Sequence, residues 1–350
     1  MKLMQVLVSQ AEAGAETYFE KVATAFAQDD SITQRLIIES LPSREKRLQA
    51  AGVDFRTLPM GFFSKALFYK YQFRKEMAEF NPDLVVTWAN RASRKCPPTS
   101  AVVVGRIGGY YDIKNYRKCD HLFVNAPDLV KHVTEQGWPD AQVSMISNFG
   151  ELPSALEVDE PFPQFPENHR VLLTLGRLHP KKAQDTLIKA LPLISNVTLL
   201  IAGSGELERE LKQLAADLGV ADRIYFLGLR KDVRQLFNMA DLCVFPSRVE
   251  PLGNVVLEAW AMETPIIAAA SEGPSWLISD NQDGLLFEID NVEQCAEKVN
   301  FLLSRPDIAD TLVENGRKTF QERFSMEVIL GQYKQLFDKL LADRQERVEG

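Results

Sequence analysis

The chain has 350 residues, 45% hydrophobic and 25% charged, with a formal net charge of -8. That length exceeds what one hydrophobic core usually supports, and the composition is that of ordinary globular protein, so two domains are expected. Four cysteines without metal-ligand spacing (Cys96, Cys119, Cys243 and Cys295) argue against both a metal cluster and a disulfide framework.

The charge is unevenly spread. Residues 1–150 carry 19 Lys+Arg against 16 Asp+Glu, a net +3, and the remainder carries 21 against 32, a net -11. Residues 1–10 lack the apolar core and cleavage site of a signal peptide, and no apolar run approaches the ~18 residues of a membrane span. A cytoplasmic protein is expected, with room for contact at the cytoplasmic face of a membrane; no nucleic-acid partner is expected.

In chain order, residues 3–8 form a first strand, followed by a turn containing Gly14 and a helix over 17–28 with Phe19, Val22, Ala23 and Phe26 at helical spacing. Gly14 at this turn can let backbone approach a phosphate. Strands over 34–38 and 53–58 flank a helix over 43–51. Residues 61–80 combine Phe62, Phe63, Leu67, Phe68, Tyr71 and Phe73 with Lys65, Lys70, Arg74 and Lys75. Such a stripe is either the core face of a helix or a basic amphipathic surface for a membrane interface. Two further buried strands are expected over 83–87 and 99–104. Around them Arg91, Arg94, Lys95, Arg106, Lys114, Arg117 and Lys118 are accompanied only by Asp112, from 91 to 118. This basic run suits either a solvated rim or an anionic acceptor, with Arg91 and Arg106 as acceptor-side candidates. A strand over 121–125, a helix over 127–136 and a strand over 143–146 close a first βα set.

Pro153, Pro161, Pro163 and Pro166 punctuate an acidic stretch that reads as an interdomain linker over 153–169. A second alternation follows. It has strands over 170–175, 197–202, 224–227, 241–245, 265–270 and 284–287, with helices over 185–193, 207–218, 254–264 and 274–279. Helices over 292–303, 308–320 and 326–341 end the chain. The expected organisation is a domain over 1–152, the linker, a domain over 170–325, and a C-terminal helix over 326–350 returning toward the first domain. Both domains read as doubly wound α/β folds, with the natural site in a cleft between them.

Two loops in the second half carry the chemistry. After the strand ending at Leu175, Gly176 permits a tight turn while Arg177 and Lys182 bring positive charge to a carboxyl-end loop. After the strand ending at Phe245 comes Arg248-Val-Glu-Pro-Leu-Gly-Asn254, whose helix start welcomes an anion. Together they suggest a diphosphate held between the loops. Glu250 stands just ahead of that helix. Asn254 and Glu258 share one helix face, and Glu258 is the only charge among Val255, Val256, Leu257, Ala259, Trp260 and Ala261, so it needs a partner. Gly203-Ser-Gly205 invites a dinucleotide-binding reading, but Glu208 occupies the third glycine position.

These residues carry a resemblance. Gly176-Arg177-Leu178 with Lys182, the Glu250/Glu258 pair, Ala202-Gly-Ser-Gly-Glu206, Phe226-Leu-Gly228, Pro246-Ser247 and Asp283-Gly-Leu-Leu-Phe287 resemble, in order, the motifs of family-4 retaining glycosyltransferases with the GT-B fold. The match is strong over 170–290 and weaker in the first domain. Ala183 departs from the glycine usual after the phosphate-loop lysine, Pro251 from the glycine or alanine after the first glutamate, and Gly105-Arg-Ile-Gly-Gly-Tyr110 stands where many members carry a histidine. The resemblance implies two Rossmann-like domains facing a central cleft and a nucleotide-diphosphate sugar as donor substrate, with no further cofactor and no metal. It implies that Arg177 and Lys182, with the amides of Gly253 and Asn254, bind the diphosphate. Glu258 would bind the ribose and Glu250 a hydroxyl of the donor sugar. Leu229 and Arg230 would meet the base, and Gly14 and Ala15 would line the cleft. The implied acceptor is a glycan or lipid-linked anionic glycan, as in lipopolysaccharide assembly. A non-catalytic nucleotide-sugar-binding scaffold is the alternative.

Overall fold

The computed structural model describes residues 1–12, 14–58, 65–150, 164–166 and 168–349. The start of the basic aromatic stretch, 61–64, and residues 153–163 of the expected linker lie outside the described residues. The chain forms two compact units, Met1–Asn148 with Leu330–Gly350, and Phe149–Ile329.

The first unit runs β1 (Lys2–Leu7), α1 (Gly14–Phe26), β2 (Thr33–Glu39), α2 (Pro42–Ala50), β3 (Phe55–Leu58), α3 (Lys65–Phe80), β4 (Leu84–Trp88), α4 (Ala89–Lys95), β5 (Val102–Ile107), β6 (His121–Val124), α5 (Pro127–Glu135) and β7 (Val143–Met145). Its strands pair in parallel in the order β3-β2-β1-β4-β5-β6-β7. Central strands β4 and β5 are buried along their whole length, which is why they read as continuous Val/Leu/Ile runs rather than alternating ones.

The second unit runs β8 (Arg170–Leu175), α6 (Gln184–Ala190), β9 (Val197–Ala202), α7 (Glu208–Asp217), β10 (Ile224–Gly228), α8 (Val233–Met239), β11 (Leu242–Phe245), α9 (Asn254–Ala261), β12 (Ile266–Ala269), α10 (Glu272–Leu277), β13 (Leu285–Phe287), α11 (Val292–Ser304) and α12 (Pro306–Arg323). Its parallel sheet has the order β10-β9-β8-β11-β12-β13. In both sheets the winding direction reverses beside the first strand of the unit, and an open sheet has its ligand crevice at the carboxyl ends of the strands at such a point. Leu172, Leu199, Ile201, Val244 and Ile267 centre the core of this unit, with α6 and α11 supplying Leu187, Ile188, Cys295 and Val299.

Helix α4 and helix α8 were not expected from sequence. Each is seven residues long and carries too little periodic pattern to stand out beside its neighbouring strand. In α3, Phe73 is fully buried and Tyr69 nearly so, whereas Tyr71 is 67% exposed. Among the described side chains, the stripe is therefore core at Tyr69 and Phe73 and exposed at Tyr71.

A last helix, α13 (Met326–Glu349), supplies Tyr333 and Phe337 to the first unit. Tyr333 meets Phe123 edge-on at 5.2 Å and Phe26 at 6.0 Å. Lys334 donates to Asp29 at 2.8 Å, holding that carboxyl down at about 2. All four cysteines are buried, and burial pushes the thiols of Cys96, Cys119 and Cys295 up to about 12. Replacing Tyr333 with Ala removes a buried ring and should destabilise the protein by about 3 kcal/mol, read as a lowered urea midpoint.

Candidate functional site

The loops after β8 and β11 leave the second sheet side by side, at the reversal of its strand order. The first loop turns on Gly176 and is buttressed from behind. The amide of Gly176 donates to Ala202 at 3.0 Å and that of Leu178 to Ser204 at 3.0 Å, while Gly203 donates to Gly228 at 2.7 Å. Gly203, at φ +150°, faces the Gly176 carbonyl so closely that a Cβ would overlap its oxygen. Gly205 is similarly pressed against the Leu178 carbonyl. These glycines therefore serve backbone-to-backbone packing of two loops.

Past Leu178 the chain makes one short turn over Pro180–Lys182 and enters α6 through Ala183, whose φ of 51° is left-handed. An alanine in that conformation carries about 1–2 kcal/mol of backbone strain, which accounts for glycine being the usual choice there. The turn aims Lys182 at the second loop. Its ammonium pairs directly with Glu250 Oε2 and stands 5.5 Å from the centroid of the Phe245 ring. Glu250 is itself held by backbone: its carbonyl accepts from Gly273 at 2.7 Å, and its amide donates to Glu272 at 3.4 Å.

The sequence reading missed Arg248. Its backbone amide donates to the Lys181 carbonyl at 2.8 Å. Its guanidinium then reaches three places at once: the Pro180 carbonyl at 2.6 Å, Asp185 at 2.8 Å and Asp290 at 2.6 Å. The hydrogen bond to Asp185 leads in holding Arg248 protonated, against the opposing effect of its burial. The guanidinium leads in pulling Asp290 below the ordinary carboxylate range. For Asp185, burial pushes upward but Arg248 and Lys189 outweigh it, so this carboxyl is lowered too. One side chain thus binds the Lys182 turn to the loop carrying Glu250. No sequence signal marks it, because its partners lie 42 to 68 residues away.

After Glu250 the chain enters α9 through Gly253, at φ +93°, a conformation that favours glycine. As a glycine, Gly253 offers no capping side chain to the start of α9. Asn254 and Glu258 are both half-buried on α9, one turn apart. The Glu258 carboxylate lies close enough to add to the upward push that burial gives the Cys243 thiol. Arg177 is exposed beside Gly176, and its carbonyl accepts from Gln184 at 3.3 Å. Three buried side-chain oxygens, Gln184 Oε1, Ser247 Oγ and Ser271 Oγ, follow β8, β11 and β12 and lack a protein partner.

Leu229 is 72% exposed after β10, and the adjacent Arg230 forms a bidentate pair with Asp232 at 2.7 and 2.5 Å. That pair is almost wholly buried and keeps Asp232 below the usual carboxylate range, so the Arg230 charge braces its own loop. Gly14 and Ala15 open α1 in the first unit, both exposed. Arg91 is exposed on α4, 3.9 Å from Glu39. Arg106 is buried on β5, stacked over Trp88 at 5.1 Å and Tyr18 at 5.4 Å and donating to Asn148 at 2.9 Å.

Two doubly wound parallel units, the second with a cation–carboxylate pair at its switch point, define the GT-B architecture. The solved structure of Anabaena Alr3699/HepE in complex with UDP and glucose has this fold, with a TM-score of 0.81 at 19% identity, covering 97% of this chain and 100% of that one. The chain belongs to the family described as glycosyl transferases group 1, whose model matches residues 157–319, and is a family-4 glycosyltransferase. It is 33% identical over 333 residues to the lipopolysaccharide core biosynthesis glycosyltransferase LpsE of Rhizobium meliloti (strain 1021), covering 93% of this chain and 96% of that protein. To LpsD of the same strain, which carries the same description, it is 30% identical over 346 residues, covering 98% and 100%.

Two outcomes are expected from the geometry. Gly203→Ala should cost about 3 kcal/mol through backbone strain and overlap, seen as a lowered denaturant midpoint. Arg248→Met should cost about 2 kcal/mol near neutral pH. Because Asp185 and Asp290 have lowered folded values, that difference should shrink as pH falls below the ordinary carboxylate range, a trend that parallel melts of the two proteins would reveal.

Proposed function

We propose that this glycosyltransferase is a retaining, metal-independent hexosyltransferase. In this reading it moves a sugar from a nucleotide-diphosphate donor to a glycan or lipid-linked anionic acceptor during assembly of a lipopolysaccharide core. The observation that carries the donor-site assignment is the Lys182–Glu250 pair, which joins two loops beside the start of α9. The acceptor class rests on LpsE and LpsD, both named for lipopolysaccharide core biosynthesis. The donor class is supported by a solved neighbour of the same fold in complex with UDP-glucose. No described helix is long and apolar enough to cross a membrane, so in this reading a lipid-linked acceptor is met at a membrane face.

When the anomeric C–O bond breaks, positive charge grows on the sugar ring and negative charge on the departing diphosphate. Arg177, Lys182 and the first amides of α9, those of Asn254 and its neighbours, stabilise the anion without a metal. In the free protein the Lys182 ammonium is neutralised by Glu250. The incoming diphosphate takes up that ammonium, and Glu250 turns its freed oxygen to a hydroxyl of the donor sugar. Glu258, one helical turn beyond Asn254, receives the ribose hydroxyls. The leaving phosphate oxygen accepts the acceptor's proton on the face it vacates, so the anomeric configuration is retained.

Nucleotide release from candidate nucleotide sugars is the direct test. Arg177→Ala and Glu250→Ala should each lower turnover about a hundredfold, the scale of losing one charge-stabilising group. Glu258→Ala should chiefly raise the donor dissociation constant. Full turnover in the Glu250 variant, or no release by the wild type with any donor offered, would sink the reading.

A further inference from the structure

The first unit has a concavity of about 480 Å³ at the amino ends of β5 and β6, the opposite end of that sheet from Gly14 and Arg106. The size suits a small ligand. One wall is the strand approach carrying Lys118, Asp120 and His121, and the other is the last turns of α13. Lys339, Asp343, Arg344 and Arg347 all line the cavity, at the spacing that places them on one helix face.

The charges here are not balanced. Four cations, Lys118, Lys339, Arg344 and Arg347, face two acids, Asp120 and Asp343. Asp120 already accepts from the Val103 amide at 2.8 Å, which fixes it against the sheet. His121 adds no charge at neutral pH: burial, helped by Lys339, lowers it to about 4, and its Nε2 is hydrogen-bonded to Ser144 at 2.9 Å. Among the described residues none of the four cations forms an ion pair, and Lys118 donates to the Cys96 carbonyl at 3.3 Å. Elsewhere in the same unit, Arg35, Arg44, Arg47 and Arg56 each hold a carboxylate within 2.9 Å. Unpaired cations converging on a ligand-sized hollow focus a positive potential into it.

We propose that this cavity is a binding site for a phosphorylated ligand, separate from the donor site, with Lys339 and Arg344 as its principal phosphate contacts. The phosphate group can belong to a soluble molecule or to an anionic lipid head group, and both present the same chemistry. The inference does not depend on the donor-site assignment, because no residue is shared.

The test measures wild type against Lys339→Glu/Arg344→Glu by calorimetry with inorganic pyrophosphate and by co-sedimentation with phosphatidylglycerol vesicles. Pyrophosphate binding weakened about tenfold or more by the double reversal assigns a soluble ligand. Vesicle binding lost in the variant, with pyrophosphate affinity unchanged, assigns a lipid head group. Arg344→Lys should retain binding in either case. A melting temperature near that of wild type shows that the double variant folds, and Arg347→Glu, at the exposed helix end, provides a second and milder reversal. If both reversals leave affinity for both probes unchanged, the four cations are a solvated surface and the proposal falls.

Discussion

The candidate site depends on one guanidinium. Arg248 reaches the Pro180 carbonyl, Asp185 and Asp290 together, so the turn carrying Lys182, the start of α6 and the loop after β13 are tied to the strand end that carries Glu250. An isolated surface ion pair contributes little to stability. This arrangement differs because a planar cation with several donors satisfies a carbonyl and two carboxylates in one geometry, and each partner restrains the others. The loops need that restraint from side chains because neither has regular backbone pairing. Further support comes from a few irregular backbone hydrogen bonds, such as Arg248 to Lys181 and Gly273 to Glu250, from the Lys182–Glu250 pair, and from the close glycine packing between the turns after β8 and β9.

Held this way, the site is electrically quiet at rest. Lys182 and Glu250 cancel, and the Arg248 charge is shared between two carboxylates. The exposed cations of the loop after β8 are Arg177 and Lys181. In the proposed donor site, a diphosphate would replace a carboxylate as the partner of Lys182, so the ammonium need not be stripped of water for the first time when the ligand arrives. Preorganised charge of this kind lowers the reorganisation needed when charge develops.

Much of this was legible in the sequence. The two sets of buried apolar runs with helical segments between them gave two doubly wound units, and the turn after Leu175 and the Glu250/Glu258 spacing marked the loops that meet. Short helices α4 and α8 were not legible, because seven residues carry less than two turns of pattern. Arg248 was not legible either, since what makes it matter is the folding of Asp185 and Asp290 onto it. Arg106 stood out as one charge in a basic run, but only packing reveals that its guanidinium lies over both Trp88 and Tyr18. A residue's type is visible in the sequence, whereas its partner is visible only when it lies nearby in the chain.

The burial of the cysteines has a practical corollary. A thiol reacts as its thiolate, and burial both shields these four sulfurs and raises them well above neutral. An alkylating dye or spin label added to the folded protein at neutral pH should therefore find no native target. A single cysteine introduced at an exposed position, such as Tyr71 or Leu229, would be labelled alone in an otherwise wild-type background. The chain is thus prepared for site-directed spectroscopy without first being made cysteine-free.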